Sequence, residues 1–227
     1  MSVALIRLQC GHCRAGLPAS ENDSLFVCTM CGRGYELRGG ALEEIPLAYA
    51  MPEAAHTERP LYLPFWWYRI SLGFSSSTPP PDPSRPERMK NVYVTAFAVR
   101  GFPFSDDPGF LFTQRQVAPR VKTTLREPTL GGTITSARAR CWVPLTLLSL
   151  ADRAGEDLPE TGAPTSFKLA RTSEPLEERL LAVPFYDEGV HLVDGLLGGR
   201  YPKDAIADAR LIEAEWKMIK EAKDKAT

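Results

Sequence analysis

Histidine is scarce. His12, His56 and His191 are the only three in a chain of 227 residues, and they stand far apart. That spacing excludes a paired-histidine metal helix and leaves acid–base catalysis few of its commonest carriers. Charge of one sign is lacking too. The 27 Lys and Arg meet 28 Asp and Glu for a formal net charge of −1, so no global field draws nucleic acid or an anionic membrane. No run approaches eighteen consecutive apolar residues. The longest candidate, 141–151, contains Pro144 and Thr146 and is too short to span a bilayer. Met1-Ser2-Val3-Ala4-Leu5-Ile6-Arg7 has no basic segment followed by a long apolar core, so no secretory signal is read and the expected location is cytoplasmic. Gly-rich phosphate loops and Ser-centred nucleophile elbows are also missing. His191 and Asp194 lie three positions apart on an expected strand, so they point to opposite faces and make no acid–base pair. The expectation is a protein that is not an enzyme.

Cysteine is rare as well, but its placement is informative. Four of the five cysteines fall in two tight pairs within the first 31 residues. A secreted disulfide scaffold scatters its cysteines and uses an even number. Here Cys10-Gly11-His12-Cys13 is followed by fourteen residues and then by Cys28-Thr29-Met30-Cys31-Gly32. Each Cys-x-x-Cys makes a tight turn that aims two thiolates at one ion, and two such turns close a tetrahedral site with no position left for water. Cys10, Cys13, Cys28 and Cys31 are therefore the expected ligands of one structural Zn²⁺. Gly11 is expected to relax the first turn and Gly32 the second. His12, inside the first turn, is expected to face solvent. The fifth cysteine, Cys141, lies beside Trp142 and Val143 and reads as a small buried hydrophobe.

The flanks suit a small sheet. Residues 3–8 read as a strand into the first knuckle, 24–27 as a strand into the second, and 35–38 as the strand that leaves it. Gly39 and Gly40 form a two-residue hairpin signal, with 41–45 as the return strand. Residues 3 to 46 resemble the zinc ribbons of basal transcription factors and of many small bacterial proteins, a resemblance carried by the two knuckles. It implies a fold and a metal and names no partner. The second knuckle, continued through Arg33-Gly34-Tyr35, is also similar to a rubredoxin knuckle. Rubredoxins use a longer separation and an aromatic-rich surround, so zinc is preferred to iron. From Met1 to Ile45 four Arg and Lys stand against five Asp and Glu, so the basic footprint of a nucleic-acid ribbon is missing.

Beyond a connector at 47–60, residues 61–72 change character. Leu61-Tyr62-Leu63-Pro64-Phe65-Trp66-Trp67-Tyr68 reads as a buried strand, with Pro64 marking a bulge or a sheet edge. The expectation is that one face of this strand fills a core and a helix or the ribbon covers the other. The excursion at 75–89 is Pro-rich and low in complexity. Residues 91–99 read as an interior strand. Arg115, Arg120, Lys122 and Arg126 are the densest part of a basic stretch; between Arg85 and Leu150 ten Arg and Lys face four acids, whereas residues 151–227 carry sixteen acids and eleven bases. Pairing of the two is expected. A helix is expected over 133–154, either whole or in two pieces broken before Pro144, a residue that suits a first helical turn. A strand at 178–186 turns at Asp187-Glu188-Gly189 into a partner at 190–194. A final helix over about 203–223 carries a stripe of Ala205, Ala209, Ile212, Trp216 and Ile219.

The sequence thus reads as α+β: a zinc ribbon (1–46), a connector (47–60) and a body (61–227) with a mostly antiparallel sheet, one or two helices and a C-terminal amphipathic helix. The expected role is a non-enzymatic zinc-binding scaffold or accessory subunit contacting a protein partner. The alternative is a nucleic-acid-associated regulator using the ribbon or residues 115–126.

Overall fold

The computed structural model describes residues 7–56, 58–70, 91–101, 106–123, 125, 127–156 and 177–206. In chain order the elements are β1 (Leu25–Val27), β2 (Gly34–Arg38), β3 (Ala41–Ile45), β4 (Leu47–Ala50), β5 (Leu61–Arg69), β6 (Asn91–Thr95), α1 (Pro108–Gln114), β7 (Val121–Lys122), α2 (Ser136–Glu156), β8 (Glu177–Glu188), β9 (His191–Asp194) and β10 (Arg200–Pro202). The fold is α+β and mostly antiparallel. Of the expected first strand at 3–8, residues 3–6 lie outside the described residues, and Arg7 and Leu8 are described and are not in a strand. The Pro-rich excursion at 75–89 and nearly all of the expected C-terminal helix also lie outside the described residues. Of that helix, Lys203–Ala205 form a single 3₁₀ turn and Ile206 is extended.

Strands β1, β2 and β3 make a small antiparallel sheet. Its hairpin turns at Gly39 and Gly40, both at positive φ (54° and 86°), the primed turn that matches the twist of paired strands and that side chains with a Cβ resist. The second sheet has seven strands around β8. Along one edge β8 pairs with β5 over nine residues, from Leu61 opposite Phe185 to Arg69 opposite Glu177. Its other edge is shared: β4 runs parallel beside Leu180, Leu181 and Ala182, and β9 antiparallel from Phe185 onward. Pro184 falls between the two partners, where a missing N–H leaves no ladder bond unmade. Its carbonyl accepts from Gly195 N–H at 2.8 Å. Strand β4 lies within the stretch read from sequence as a connector. Its four residues are too few to show a period, and their place is set by β8, more than 130 positions away.

The aromatic strand β5 is core on both faces. Leu61, Leu63 and Phe65 join Phe97, Phe112, Phe185 and Tyr201 on one side. Trp66 and Tyr68 join Ala139, Val143 and Leu147 of α2 on the other, together with Leu25 and Ile45 of the small sheet. Helix and small sheet thus both cover the second face, as expected. Both indoles of β5 are bonded: Trp66 Nε1 donates to the Ile134 carbonyl at 2.7 Å, Trp67 Nε1 to Asn91 Oδ1 at 3.0 Å. Each such side chain contributes about 1.5–3 kcal/mol by leaving water.

Three expectations need correction. Strand β6 is not interior: among the described residues it pairs with β5 alone, although all five of its residues are buried. Its outer edge is finished by side chains from α1 and the residues after it. Thr113 Oγ1 accepts from Tyr93 N–H at 2.8 Å, and Gln116 donates to the Asn91 carbonyl at 3.0 Å while accepting from Asn91 N–H at 3.3 Å. Two side chains stand where a neighbouring strand would bring backbone, so alternation alone could not tell the cases apart. Second, the helix expected over 133–154 is found, but without the alternative break before Pro144: α2 runs through it. Third, Cys141 is exposed. The inward stripe of α2 is Ala139, Val143, Leu147 and Leu150, and a residue two positions from that stripe points to the opposite side of the helix.

The small sheet is bonded to the segment between β7 and α2. Leu25 N–H donates to the Gly132 carbonyl (2.9 Å) and Gly132 N–H returns to Leu25 (3.1 Å). A Cβ at position 132 would lie 2.7 Å from the Ala96 carbonyl and 2.8 Å from Leu25 Cδ1, so only glycine admits this approach. Glu36 on β2 has no exposed surface. It accepts from Ser136 N–H (2.7 Å) and Ser136 Oγ (3.1 Å) at the start of α2, and from Arg38 Nε (2.7 Å). A carboxylate placed there satisfies one orphan donor of a helix N-terminus and complements its dipole.

Candidate metal centre

Two turns build the centre. In the first, Cys10 N–H donates to the Ala15 carbonyl at 2.8 Å and Arg14 N–H to the Cys10 carbonyl at 3.0 Å. In the second, Cys28 N–H donates to the Arg33 carbonyl at 2.8 Å and Gly32 N–H to the Cys28 carbonyl at 2.7 Å. The two are near copies, and in each the residue just after the second cysteine takes positive φ: Arg14 at 60° and Gly32 at 72°. The relaxation expected at Gly11 is therefore found at Arg14. At Gly32 a side chain would strike the Leu125 carbonyl; Arg14 is exposed and tolerates the left-handed conformation at a modest cost.

These turns bring Cys10, Cys13, Cys28 and Cys31 together, with all four sulfurs within 4.8 Å of one another. Cys10 Sγ lies 3.5 Å from Cys31 Sγ, and Cys13 Sγ lies 3.4 Å from Cys28 Sγ. A zinc ion with Zn–S bonds of about 2.3 Å spaces its four sulfurs about 3.8 Å apart, so the donor set fits a tetrahedral ion after small adjustments. Cys10 and Cys28 are buried, Cys31 is partly buried and Cys13 is exposed. Leu17, Phe26 and Tyr35 pack around them. His12 faces solvent beside the cluster.

The thiols do not share one acidity. Burial pushes the Cys10 thiol up, but the Cys13 N–H at 3.4 Å and the Tyr35 hydroxyl at 3.1 Å more than offset it and bring the pKa down to about 6. Cys31 is pushed up to about 12 by burial, with the neighbouring sulfurs acting in the same direction. Four thiols so close cannot all ionise in the absence of a positive charge; a divalent cation removes that penalty and displaces the protons.

The chain matches no family model, no curated protein and no solved structure at a significant level. The site must be judged on its own geometry.

Other residues singled out in the sequence are dispersed. Arg115, Arg120 and Lys122 are exposed and Arg126 lies outside the described residues. Arg120 reaches the Pro52 carbonyl at 3.4 Å. Among the described residues, no carboxylate forms an ion pair with Arg115, Arg120 or Lys122; the expected pairing with the acidic C-terminal part is met at another place in the basic stretch, where Arg140 pairs with Glu178. Asp194, beside His191 in sequence, is buried and holds its own loop: its oxygens accept from the N–H groups of Leu196, Leu197 and Gly199 at 2.9, 2.6 and 2.8 Å. Sequence reasoning missed Tyr35 and Glu36. The aromatic after the second knuckle was a visible signal for Tyr35; a lone Glu in a short strand offered none.

Proposed function

We propose that the protein is a non-enzymatic accessory or scaffold subunit whose N-terminal ribbon, residues 1–46, holds one structural Zn²⁺ through Cys10, Cys13, Cys28 and Cys31. The convergence of four cysteine sulfurs from two matched turns carries this reading. An all-thiolate tetrahedral set suits zinc or iron, and the short separation between the knuckles favours zinc. With four protein ligands there is no open position for a reacting water, which makes the ion a structural one. The small sheet has too little core of its own, and the metal supplies the missing stabilisation.

The partner-contact part of the proposal draws on α2. Its outer side exposes Trp142 (36%), Leu145 (50%) and Leu148 (49%), apolar surface of the kind that interfaces cover. No helix among the described residues is long and apolar enough to cross a membrane, and a cytoplasmic location goes with the proposal.

Elemental analysis of the purified protein tests the metal. One zinc per chain is expected, lost in Cys28→Ser. A Cys28→Ser variant that keeps full stoichiometry would defeat the four-cysteine assignment, and a visible iron–thiolate absorption would replace zinc by iron. Affinity purification through a salt wash tests the partner. A stoichiometric protein that is lost with Leu145→Asp and Leu148→Asp supports the subunit role, while nucleic acid released by salt would transfer support to the basic stretch at 115–126.

A further inference from the structure

Strand β2 has two working sides. Glu36 faces the body, while its neighbour Tyr35 turns the other way, into the cysteine cluster. Tyr35 is 3% exposed and packs with Cys10, Phe26 and Cys28. Its hydroxyl lies 3.1 Å from Cys10 Sγ, and Gly11 of the first knuckle is its neighbour: a Cβ at position 11 would sit in ordinary contact with that same oxygen, at 3.8 Å. The backbone holds this position firmly: Tyr35 lies mid-strand, opposite Phe26 on one side and Glu44 on the other.

The direction of the bond follows from the chemistry. A metal-bound cysteine is a thiolate and has no proton to give; a phenol at neutral pH has one. Among the described residues, Cys10 is the one cluster cysteine with a side-chain hydroxyl against its sulfur. We infer that Tyr35 is a positioning residue of the metal centre, donating its hydroxyl proton in a hydrogen bond to the metal-bound Cys10 sulfur. This rests on the four-cysteine reading above. The bond orients one ligand before the ion arrives and withdraws charge from its sulfur once the ion is bound. Partners of this sort, when lost, cost about 10–100-fold in metal affinity.

The test compares full-length wild type with Tyr35→Phe and Tyr49→Phe. Tyr49 serves as control: its fully buried hydroxyl, near the second knuckle, has no hydrogen-bond partner among the described residues. Chelator competition should show zinc bound about 10–100-fold more weakly by Tyr35→Phe and unchanged by Tyr49→Phe. With Co²⁺ as the probe, the sulfur-to-metal charge-transfer band should move to lower energy in Tyr35→Phe alone, because an unbonded thiolate gives up its electrons more readily. A merely structural role would not move that band. Equal affinity and an unmoved band in Tyr35→Phe, or the same shift in both variants, overturns the inference while the metal reading stands. A wild-type protein that takes up no metal overturns both. Should Tyr35→Phe not fold, 3-fluorotyrosine at position 35 reads the same bond with opposite sign. The more acidic hydroxyl donates more strongly and moves the band to higher energy; no movement overturns the inference.

Discussion

Asp107 caps α1: its Oδ1 accepts from Gly109 N–H at 2.8 Å and Phe110 N–H at 3.3 Å, and its Oδ2 from the Thr95 hydroxyl at 3.2 Å. Burial nonetheless pushes its carboxyl up to about 6, with those donors pulling the other way. An unfolded chain loses this proton near 3.9, so between about pH 4 and 6 the folded state binds more protons than the unfolded one. Stability from this group is therefore complete below about pH 4 and declines as pH rises through 6. Burial raises Asp194 too, with the same sign. Asp107→Asn keeps the cap and removes the charge, so the variant is expected to gain on wild type as pH rises from 4 to 6. Denaturant midpoints across that range check it, and parallel curves would count against it. Tyr49 is the opposite case. Burial raises its pKa to about 12 and its hydroxyl has no hydrogen-bond partner among the described residues, so Tyr49→Phe is expected to leave stability unchanged or raise it by about 1–2 kcal/mol.

At the scale of elements, α1 does the work of an eighth strand. Its seven residues follow Asp107 with Pro108 at the first turn, and Gly109 lets it approach β6: a Cβ there would lie 2.9 Å from the Tyr93 carbonyl. Thr113→Val keeps the volume but strips Tyr93 N–H of its acceptor. The expected loss is about 1–3 kcal/mol, with a new tendency to associate through the bared edge of β6, read by denaturant titration and by size-exclusion chromatography. The small sheet depends in the same way on one side chain. Glu36→Ala orphans the Ser136 N–H at the start of α2 and is expected to cost about 1–3 kcal/mol; Arg38, which is partly exposed, rehydrates and adds little. In α2 itself Pro144 removes a helical hydrogen bond in mid-element. Pro144→Ala is expected to raise the melting temperature, and a lower one would show that the proline is fitted to its surroundings.

At the scale of the molecule, the cysteine cluster and the main core are not independent. Leu25 and Ile45 of the small sheet pack with Trp66, β1 is bonded to Gly132, and Glu36 grips α2. Stripping the metal is therefore expected to lower the melting temperature of the whole chain in one transition, with fluorescence from the buried Trp66 reporting the loss as early as any probe of the small sheet. Two separate transitions would show that the small sheet unfolds alone.

What the sequence determined by itself is what lies within a few residues of its own signal. The Cys-x-x-Cys pairs, the turn at Gly39 and Gly40, the aromatic strand and the hairpin after Glu188 all depend on spacing, glycine φ or alternation, which short segments carry in full. Tertiary structure decided the rest. Whether β6 is edge or interior depends on Thr113 and Gln116, twenty and more positions away. Whether Leu47–Ala50 link or pair depends on β8. Whether Cys141 is buried depends on which side of α2 meets the sheet. The reason is physical: a strand's partner and a helix's inward face are fixed by where apolar surface and unmet hydrogen bonds from distant segments come together.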